Sequence, residues 1–327
     1  MDGSHSDIAI IGAGMAGLSC ASHLAKAGQL VRVFDKGRGP GGRMAARRAE
    51  VAGETVSFDH GAQYFTARDP AFVEQVKDWE AQGAAARWRA ASKSDDDPAF
   101  VGIPGMNGPI RAMADALEEA GGEVCWATRI EDITRSDGRW QLDAGDQRYT
   151  CDTVLVAVPA EQASVLLEEA SPRLGALAGS VTSAPCWAVM AAFATRLDIE
   201  ADRVRAEKGP VSWAARNSAK PARNGTECWV VHASPERSRE LIDLPKEEAA
   251  AILLGDFFAQ TQTQPAAPIH LTAHRWLYSQ PASLDGEAAH YDAETRIGIA
   301  GDYLHSPRVE GAFLSGRALA AMVPGAG

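Results

Sequence analysis

The sequence predicts an α/β fold: a parallel-sheet, dinucleotide-binding domain assembled from both ends of the chain, plus a smaller α+β domain built on an antiparallel sheet. Three observations predict it. An apolar run at residues 8–11 meets Gly12, Gly14 and Gly17 in G-x-G-x-x-G order, followed by a helical pattern. A second strand–acid–helix pattern occupies residues 296–321. Between them, residues 187–278 carry short strand patterns rich in Trp. The first domain is expected over 1–65, 100–165 and 290–327, and the second, the substrate domain, over 66–99 and 166–289.

The opening unit is of Rossmann type. Gly12 allows the tight turn, Gly14 lets a pyrophosphate approach the backbone, and Gly17 lets helix and strand pack closely. The helix over 15–27 points its first N–H groups, at Met15 and Ala16, towards the phosphates. Gly28 stops it, residues 30–34 form the second strand, and Asp35 ends that strand. Asp35 lies roughly 20 residues beyond the first glycine, the spacing of a carboxylate that holds an adenosine ribose. This fingerprint does not separate FAD from NAD. The second turn over residues 39–44, containing Gly42 and Arg43, leans towards FAD. Lys36, Arg129 and Ile130 are assigned to the same cofactor site.

Residues 58–70 mix aromatics, amides and glycine without clean periodicity. They read either as a loop lining the cofactor pocket, with His60, Gly61, Ala62 and Gln63 on the cofactor, or as a strand end carrying core aromatics. A helix is expected over 72–79, an exposed loop over 92–98, and a helix over 110–120 ended by Gly121-Gly122. A strand at 123–128 is followed by short strands at 130–134, 139–142 and 147–151 that make a three-stranded meander, and 153–158 reads as a separate strand buried on both faces. In the second domain, strands are expected at 187–194, 211–214, 227–233 and 269–278, with a helix at 247–260. Their tryptophans either wall an aromatic pocket or fill the core. At the C-terminal end, Asp302 is expected to hold a ribityl hydroxyl. Glu310, Gly311 and Ala312 open a helix whose backbone faces the flavin N1–C2=O edge, with Gly301 beside Asp302.

The 327 residues, 46% of them hydrophobic, suffice for two lobes. A net charge of −11 argues against general binding to nucleic acid or anionic membranes, so an anionic substrate would need a local cluster of Arg. Five scattered cysteines form no C-x-x-C pair. They read as free thiols in a reducing compartment, with no metal site. The polar start at residues 1–6 has no signal-peptide pattern, and no apolar stretch reaches the ~18 residues of a membrane span. A cytoplasmic protein is expected; its oligomeric state is not assigned.

Six segments carry a resemblance: FDKGRGPGGRM at 34–44, DHGAQYFTARDPAF at 59–72, VGIPGM at 101–106, WAARNSAKP at 213–221, AHRWLYSQP at 273–281 and AGDYLHSPRVEGAFLSG at 300–316. On these the chain resembles the bacterial renalases of the FAD-dependent amine-oxidase-like superfamily, over nearly its whole length. The resemblance implies a two-lobed fold like that of monoamine oxidase and p-hydroxybenzoate hydroxylase. It also implies oxidation of the 2- and 6-dihydro isomers of NAD(P)H to NAD(P)+ by hydride transfer to flavin N5, with O2 reduced to hydrogen peroxide. Covalent flavin binders in the superfamily carry a Cys near the C-terminal motif. None follows Cys228 here, so the FAD is expected to be non-covalent. Position 60 is His where relatives are expected to be apolar; it either contacts the flavin or faces solvent. Hydride transfer needs no acid/base pair. The expected substrate wall is Tyr64, Trp213, Arg216, Asn217, His274 and Trp276: Tyr64 and Trp276 sandwich the ring, Asn217 and His274 bond its carboxamide, and Arg216 meets a phosphate. The alternatives are a flavin amine oxidase acting on a small primary or secondary amine, and a non-enzymatic binding protein resembling the Rab escort factors. An NAD-only dehydrogenase is disfavoured by the second glycine turn.

Overall fold

The computed structural model describes residues 5–223 and 225–325. Residues 1–4 and 326–327, which the sequence division places at the outer ends of the first domain, lie outside the described residues, as does most of the polar start read for a signal peptide.

The chain begins with β1 (His5–Ile11), α1 (Met15–Lys26) and β2 (Val31–Phe34). β1 and β2 are parallel, with Ile8 opposite Val31. A hairpin follows, β3 (Ala46–Val51) and β4 (Glu54–Asp59), which the polar sequence conceals because few of its residues are apolar. In α2 (Pro70–Ala81), Pro70 sets the first turn and the Asp69 carboxylate accepts the Ala71 N–H at 2.8 Å. A small pair, β5 (Ala85–Arg87) and β6 (Phe100–Gly102), leads to α3 (Gly108–Glu119) and β7 (Glu123–Cys125). β8 (Asp132–Ser136) and β9 (Arg139–Ala144) make the meander with β10 (Gln147–Val156). β10 is one strand where the sequence reads two: its first half pairs antiparallel with β9, and its second half runs parallel to β1. Two short helices that the sequence reading lacks, α4 (Ala160–Leu166) and α5 (Pro172–Gly179), come next.

The second sheet is antiparallel, in the order β12 (Arg203–Arg205), β13 (Val211–Arg216), β14 (Glu227–Ala233), β11 (Ser183–Phe193), β15 (His270–Pro281). α6 (Pro235–Glu240) and α7 (Lys246–Thr261) interrupt it. The chain then returns to the first sheet through β16 (Ala289–Asp292) and β17 (Ile297–Ala300) and ends in α8 (Val309–Met322). The first sheet thus runs β16-β17-β10-β1-β2-β7, with β9 and β8 continuing from β10.

Both faces of the first sheet are covered. Ile8, Ile10 and Val33 meet Leu18 and Leu24 of α1 and Phe313 of α8, while Ile11, Val154 and Val156 meet Leu142, Leu167 and Leu174. This double burial is why residues 8–11 read as a continuous apolar run. Each such Ile or Leu contributes about 1.5–3 kcal/mol of transfer free energy. The two ends of the chain are clamped where α1 crosses α8. The Ser19 hydroxyl donates to Phe313 O at 2.8 Å, and a Cβ on Gly316 would overlap Ala16 O.

Two packing contacts cross the sequence division. Phe72, Val76 and Trp79 of α2 are buried in the same core as α1 and α8, with Phe72 5.0 Å from Phe313. Conversely, Val51, Val56 and Phe58 of the β3–β4 hairpin pack on Met190, Ala192, Cys228 and Val230 of the second sheet. The opposite face of that sheet is sealed by Leu253, Leu254, Phe257 and Phe258 of α7. Among the described residues no helix is long and apolar enough to cross a membrane.

Candidate active site

A single cavity of about 2390 Å³ runs from the Gly12 turn to the second sheet. Ordinary small-molecule pockets reach roughly 1,000 Å³, so this one has room for a dinucleotide and a second ligand.

The wall at the first sheet is largely backbone. Gly12 has φ +108°, and a Cβ there would lie 2.6 Å from Ala157 O. A Cβ on Gly17 would overlap Gly12 O, so only glycine lets α1 lie against the turn. A Cβ on Gly14 would meet nothing within 4 Å, because the cavity opens in front of it. α1 then starts at Met15 with no side-chain cap, leaving its N-terminal N–H groups for an anion. Asp35 closes the turn: Oδ2 accepts the Ala13 N–H at 2.8 Å and Oδ1 the Gly37 N–H at 2.6 Å. A carboxylate has about four acceptor sites, so capacity remains for a ribose diol. Lys36, whose Nζ donates to Gln162 Oε1 at 3.1 Å, also lines the cavity, as do Arg129 and Ile130.

Arg43 and Asp302 join the two chain ends by a bidentate pair of 2.8 and 2.6 Å. Both line the cavity, but Asp302, expected to hold a ribityl hydroxyl, has both oxygens on the guanidinium. Gly301 and Ala312 line the cavity too. Gly311 does not: a Cβ there would overlap Ser306 O, so it serves the packing of the turn before α8. Likewise Gly17 acts through packing and is not on the wall. Glu310 is on the wall, yet its Oε1 accepts the Arg68 and Asp69 N–H groups at 2.6 and 2.8 Å and anchors the start of α2.

The opposite wall is made of side chains. Trp276 Nε1 donates to His60 O at 2.8 Å, and the His60 ring stacks on Trp276 at 5.2 Å and meets His274 edge-on at 5.1 Å. His60 is only 5% exposed, which removes the solvent-facing alternative. Burial, with His274 and Arg47 nearby, pushes its pKa down to about 3. Burial and Lys220 push His232 down to about 4, and burial and Arg47 lower His274. These imidazoles are therefore neutral at neutral pH. A second aromatic pair, Tyr64 and Trp213, stands at 5.2 Å. Tyr64 and Trp276 thus belong to separate pairs. The loop option for residues 60–66 is the one the structure takes, since all of them line the cavity.

Strand parity decides the tryptophans and one arginine. Trp187 and Trp229 point into the core beneath α7, whereas Trp213 and Trp276 face the cavity. Arg216 follows Ala215, which faces the first lobe, and so projects to the α7 side. Its guanidinium lies 4.8 Å over the Trp229 ring, donates to Glu227 Oε1 at 3.0 Å and Ile199 O at 2.6 Å, and binds Asp202 Oδ1. Its assignment to a substrate phosphate is thereby corrected: every donor group is engaged and the side chain is off the cavity. Asn217 touches the cavity, but its amide donates to Ser57 O at 2.5 Å and accepts the Asp59 N–H at 3.3 Å. It fastens β4, and one N–H and one acceptor site of the amide remain uncommitted.

Behind the His60 loop lies a buried cluster absent from the sequence reading. Asp59 Oδ2 takes Lys220 Nζ at 3.1 Å and Arg223 Nη2 at 2.7 Å, while Oδ1 accepts the Met106 N–H at 2.8 Å. Burial works against the Asp59 charge, but Lys220, Arg223 and the Met106 N–H outweigh it and hold the carboxyl below its ordinary range. Lys220 also donates to Gln63 Oε1 at 3.1 Å, so the cluster sets the position of the loop. The partners are 161 residues apart for Lys220 and Asp59, and no local pattern links them.

The uncapped α1 terminus, the open space at Gly14, the facing Gly42 turn and the spare capacity of Asp35 fit an extended diphosphate dinucleotide. With an aromatic wall across the same cavity, they define a two-lobed, dinucleotide-dependent oxidoreductase. Residues 10–79 match the NAD(P)-binding Rossmann-like domain and residues 78–323 match the flavin containing amine oxidoreductase family. The chain belongs to the flavin-containing amine oxidoreductase family; it is an FAD-dependent oxidoreductase. Among solved structures it is similar to a protein assigned as protoporphyrinogen oxidase from Exiguobacterium sp. 255-15, with TM-score 0.74 and 13% identity over 98% of each chain. A redesigned putrescine oxidase gives TM-score 0.69 and 15% identity, covering 97% of this chain and 98% of that one. Cyclohexylamine oxidase from Brevibacterium oxydans IH-35A gives 0.62 and 13%, with the same coverage. At these identities the likeness speaks to the fold alone.

Proposed function

We propose that the protein oxidises the 2- and 6-dihydro isomers of NAD(P)H to NAD(P)+, with O2 as the final acceptor and hydrogen peroxide as the reduced product. The observation that carries this reading is the charge of the substrate wall. Among the described residues six carboxylates line the cavity, Asp35, Asp97, Glu131, Glu161, Asp302 and Glu310, and none of them comes from the second sheet or its loops. That sheet contributes aromatic rings, neutral imidazoles and arginines. Such a wall suits a flat, uncharged dihydropyridine and offers no partner for a cationic alkylamine.

Bound FAD supplies a two-electron acceptor for the hydride leaving the substrate carbon. The Cys that marks covalent binders in the superfamily has no counterpart after Cys228, which supports non-covalent binding. The uncapped α1 terminus and the Gly12–Gly17 turn hold its diphosphate, and Asp35 its ribose. Tyr64, Trp213, His60 and Trp276 align the substrate ring and exclude water, which gives the proximity advantage. The carbon loses hydride, not a proton, and aromatisation drives the loss, so the neutral imidazoles need not act as bases. His274 contributes to ring placement: His274→Ala slows turnover about tenfold, near 1.4 kcal/mol, while flavin reduction persists. Complete loss of reduction with FAD bound would give His274 a chemical role.

The amine reading draws on the same aromatic pairs, which could cage an uncharged amine. Anaerobic mixing with borohydride-reduced NAD+, and separately with aryl or alkyl amines, decides. Rapid bleaching of the flavin by the isomer mixture alone supports the proposal; bleaching by amines and not by the isomers overturns it.

A further inference from the structure

We infer that β12 presents an anion subsite to the substrate, in which Arg203 and Arg205 bind a phosphate group next to the Tyr64–Trp213 pair. The inference rests on the nucleotide substrate proposed above and names the part of it that the protein grips.

Arg203 and Arg205 lie two residues apart on the edge strand of the second sheet, which puts both on one face, and both line the cavity. Arg205 is directly opposite Trp213 in the register, and the Arg203 guanidinium lies 6.0 Å from the Trp213 ring. Arg203 Nε donates to Ala90 O, which fixes the plane of the fork and leaves its terminal nitrogens to donate elsewhere. Trp213 Nε1, on a side chain 9% exposed, has no hydrogen-bond partner among the described residues. An indole donor without an acceptor therefore lies on the same stretch of wall as the two cations.

The acid that would neutralise this wall is directed elsewhere. Asp202 precedes Arg203, yet its carboxylate serves Arg216 and, at 3.7 Å, Arg196. Neither Arg203 nor Arg205 has an ion-pair partner among the described residues, in a chain of net charge −11. Arg68 and Lys93, which also line the cavity, share the one carboxylate of Asp97, at 3.6 and 3.7 Å. Two like charges held side by side repel, and an anion between them relieves the repulsion. Arginine forks match phosphate oxygens in bidentate fashion. These cations would also draw an anionic substrate towards an otherwise acidic protein.

The test uses the FAD-loaded enzyme, so that the cofactor's own phosphate site is filled. Oxidised nicotinamide mononucleotide and nicotinamide riboside are titrated calorimetrically into wild type, Arg205→Gln, and the Arg203→Gln/Arg205→Gln double variant. The mononucleotide should bind wild type more tightly than the riboside, and the double variant should lose about tenfold of that preference, as removal of a charge-assisted contact does. Arg205→Gln alone should lose part of it; this side chain is exposed and its replacement leaves the Ala90 contact intact. Equal wild-type affinity for the two ligands, or an unchanged preference in both variants, overturns the subsite. In parallel, flavin bleaching by the reduced isomers of each ligand separates the two proposals. A subsite that binds phosphate without bleaching by any isomer sustains this inference and sinks the proposed reaction; bleaching with equal KM for both ligands does the reverse.

Discussion

At the first sheet the cavity is walled by backbone: Gly12 turns with φ +108°, Gly14 leaves open space, and α1 offers its uncapped terminus. At the second sheet it is walled by His60, Tyr64, Trp213, His274 and Trp276, delivered from a loop, β13 and β15. The backbone wall is local; its parts sit within a few residues, and a Cβ on Gly12 or Gly17 would overlap the chain. The side-chain wall depends on which face each strand presents, so a one-residue change of register sends a side chain to the other side. Arg203 and Arg216 show the consequence. Both are arginines on neighbouring strands, yet one faces the cavity and the other is sealed beneath α7 between Glu227 and Asp202.

The largest expected effect tests that pair of arginines. Arg216→Met should cost about 3–5 kcal/mol in denaturant unfolding, because it strands the buried Glu227 carboxylate. KM should stay where it is. A variant of normal stability with a raised KM would return Arg216 to the substrate.

Next comes the backbone wall. Gly17→Val drives methyl groups into Gly12 O and should weaken FAD binding and stability by up to about 3 kcal/mol. Tyr64→Phe, on the side-chain wall, should retain FAD. A flavin titration compares the two directly, and equal FAD affinities would erase the distinction between the walls.

The smallest effect is carried by pH. Folded His60 sits at about 3, and an unfolded imidazole near ~6.5. Between these values the unfolded state holds a proton that the folded state lacks. Stability therefore rises with pH through that window, and the contribution is complete above ~6.5. From pH ~6.5 to ~5, wild type should lose about 2 kcal/mol more than His60→Leu. Parallel stability curves for the two would show that burial does not hold the imidazole neutral.

Much of this arrangement is legible without coordinates where the signal is local. β14 spans the residues its alternation predicts, and α7 exceeds its predicted span by one residue at each end. The glycine turns and Asp35 are readable because spacing along the chain is the geometry there. The hairpin of β3 and β4 is not readable, because only Val51, Val56 and Phe58 announce it and their partners are on β11 and β14. The places of Arg216 and Gly311 are not legible in the sequence for one reason: a residue's type shows what it can bind, and its partner is set by packing.

The sequence by itself determined the nucleotide unit and the second glycine turn, since each rests on backbone conformation that neighbouring residues impose. Only the tertiary structure decided which Trp faces the cavity, that Asp59, Lys220 and Arg223 form one buried cluster, and that Arg203 and Arg205 line the cavity while Arg216 does not. Those choices depend on contacts between residues far apart in the chain, and strand register and the crossing of α1 with α8 create them.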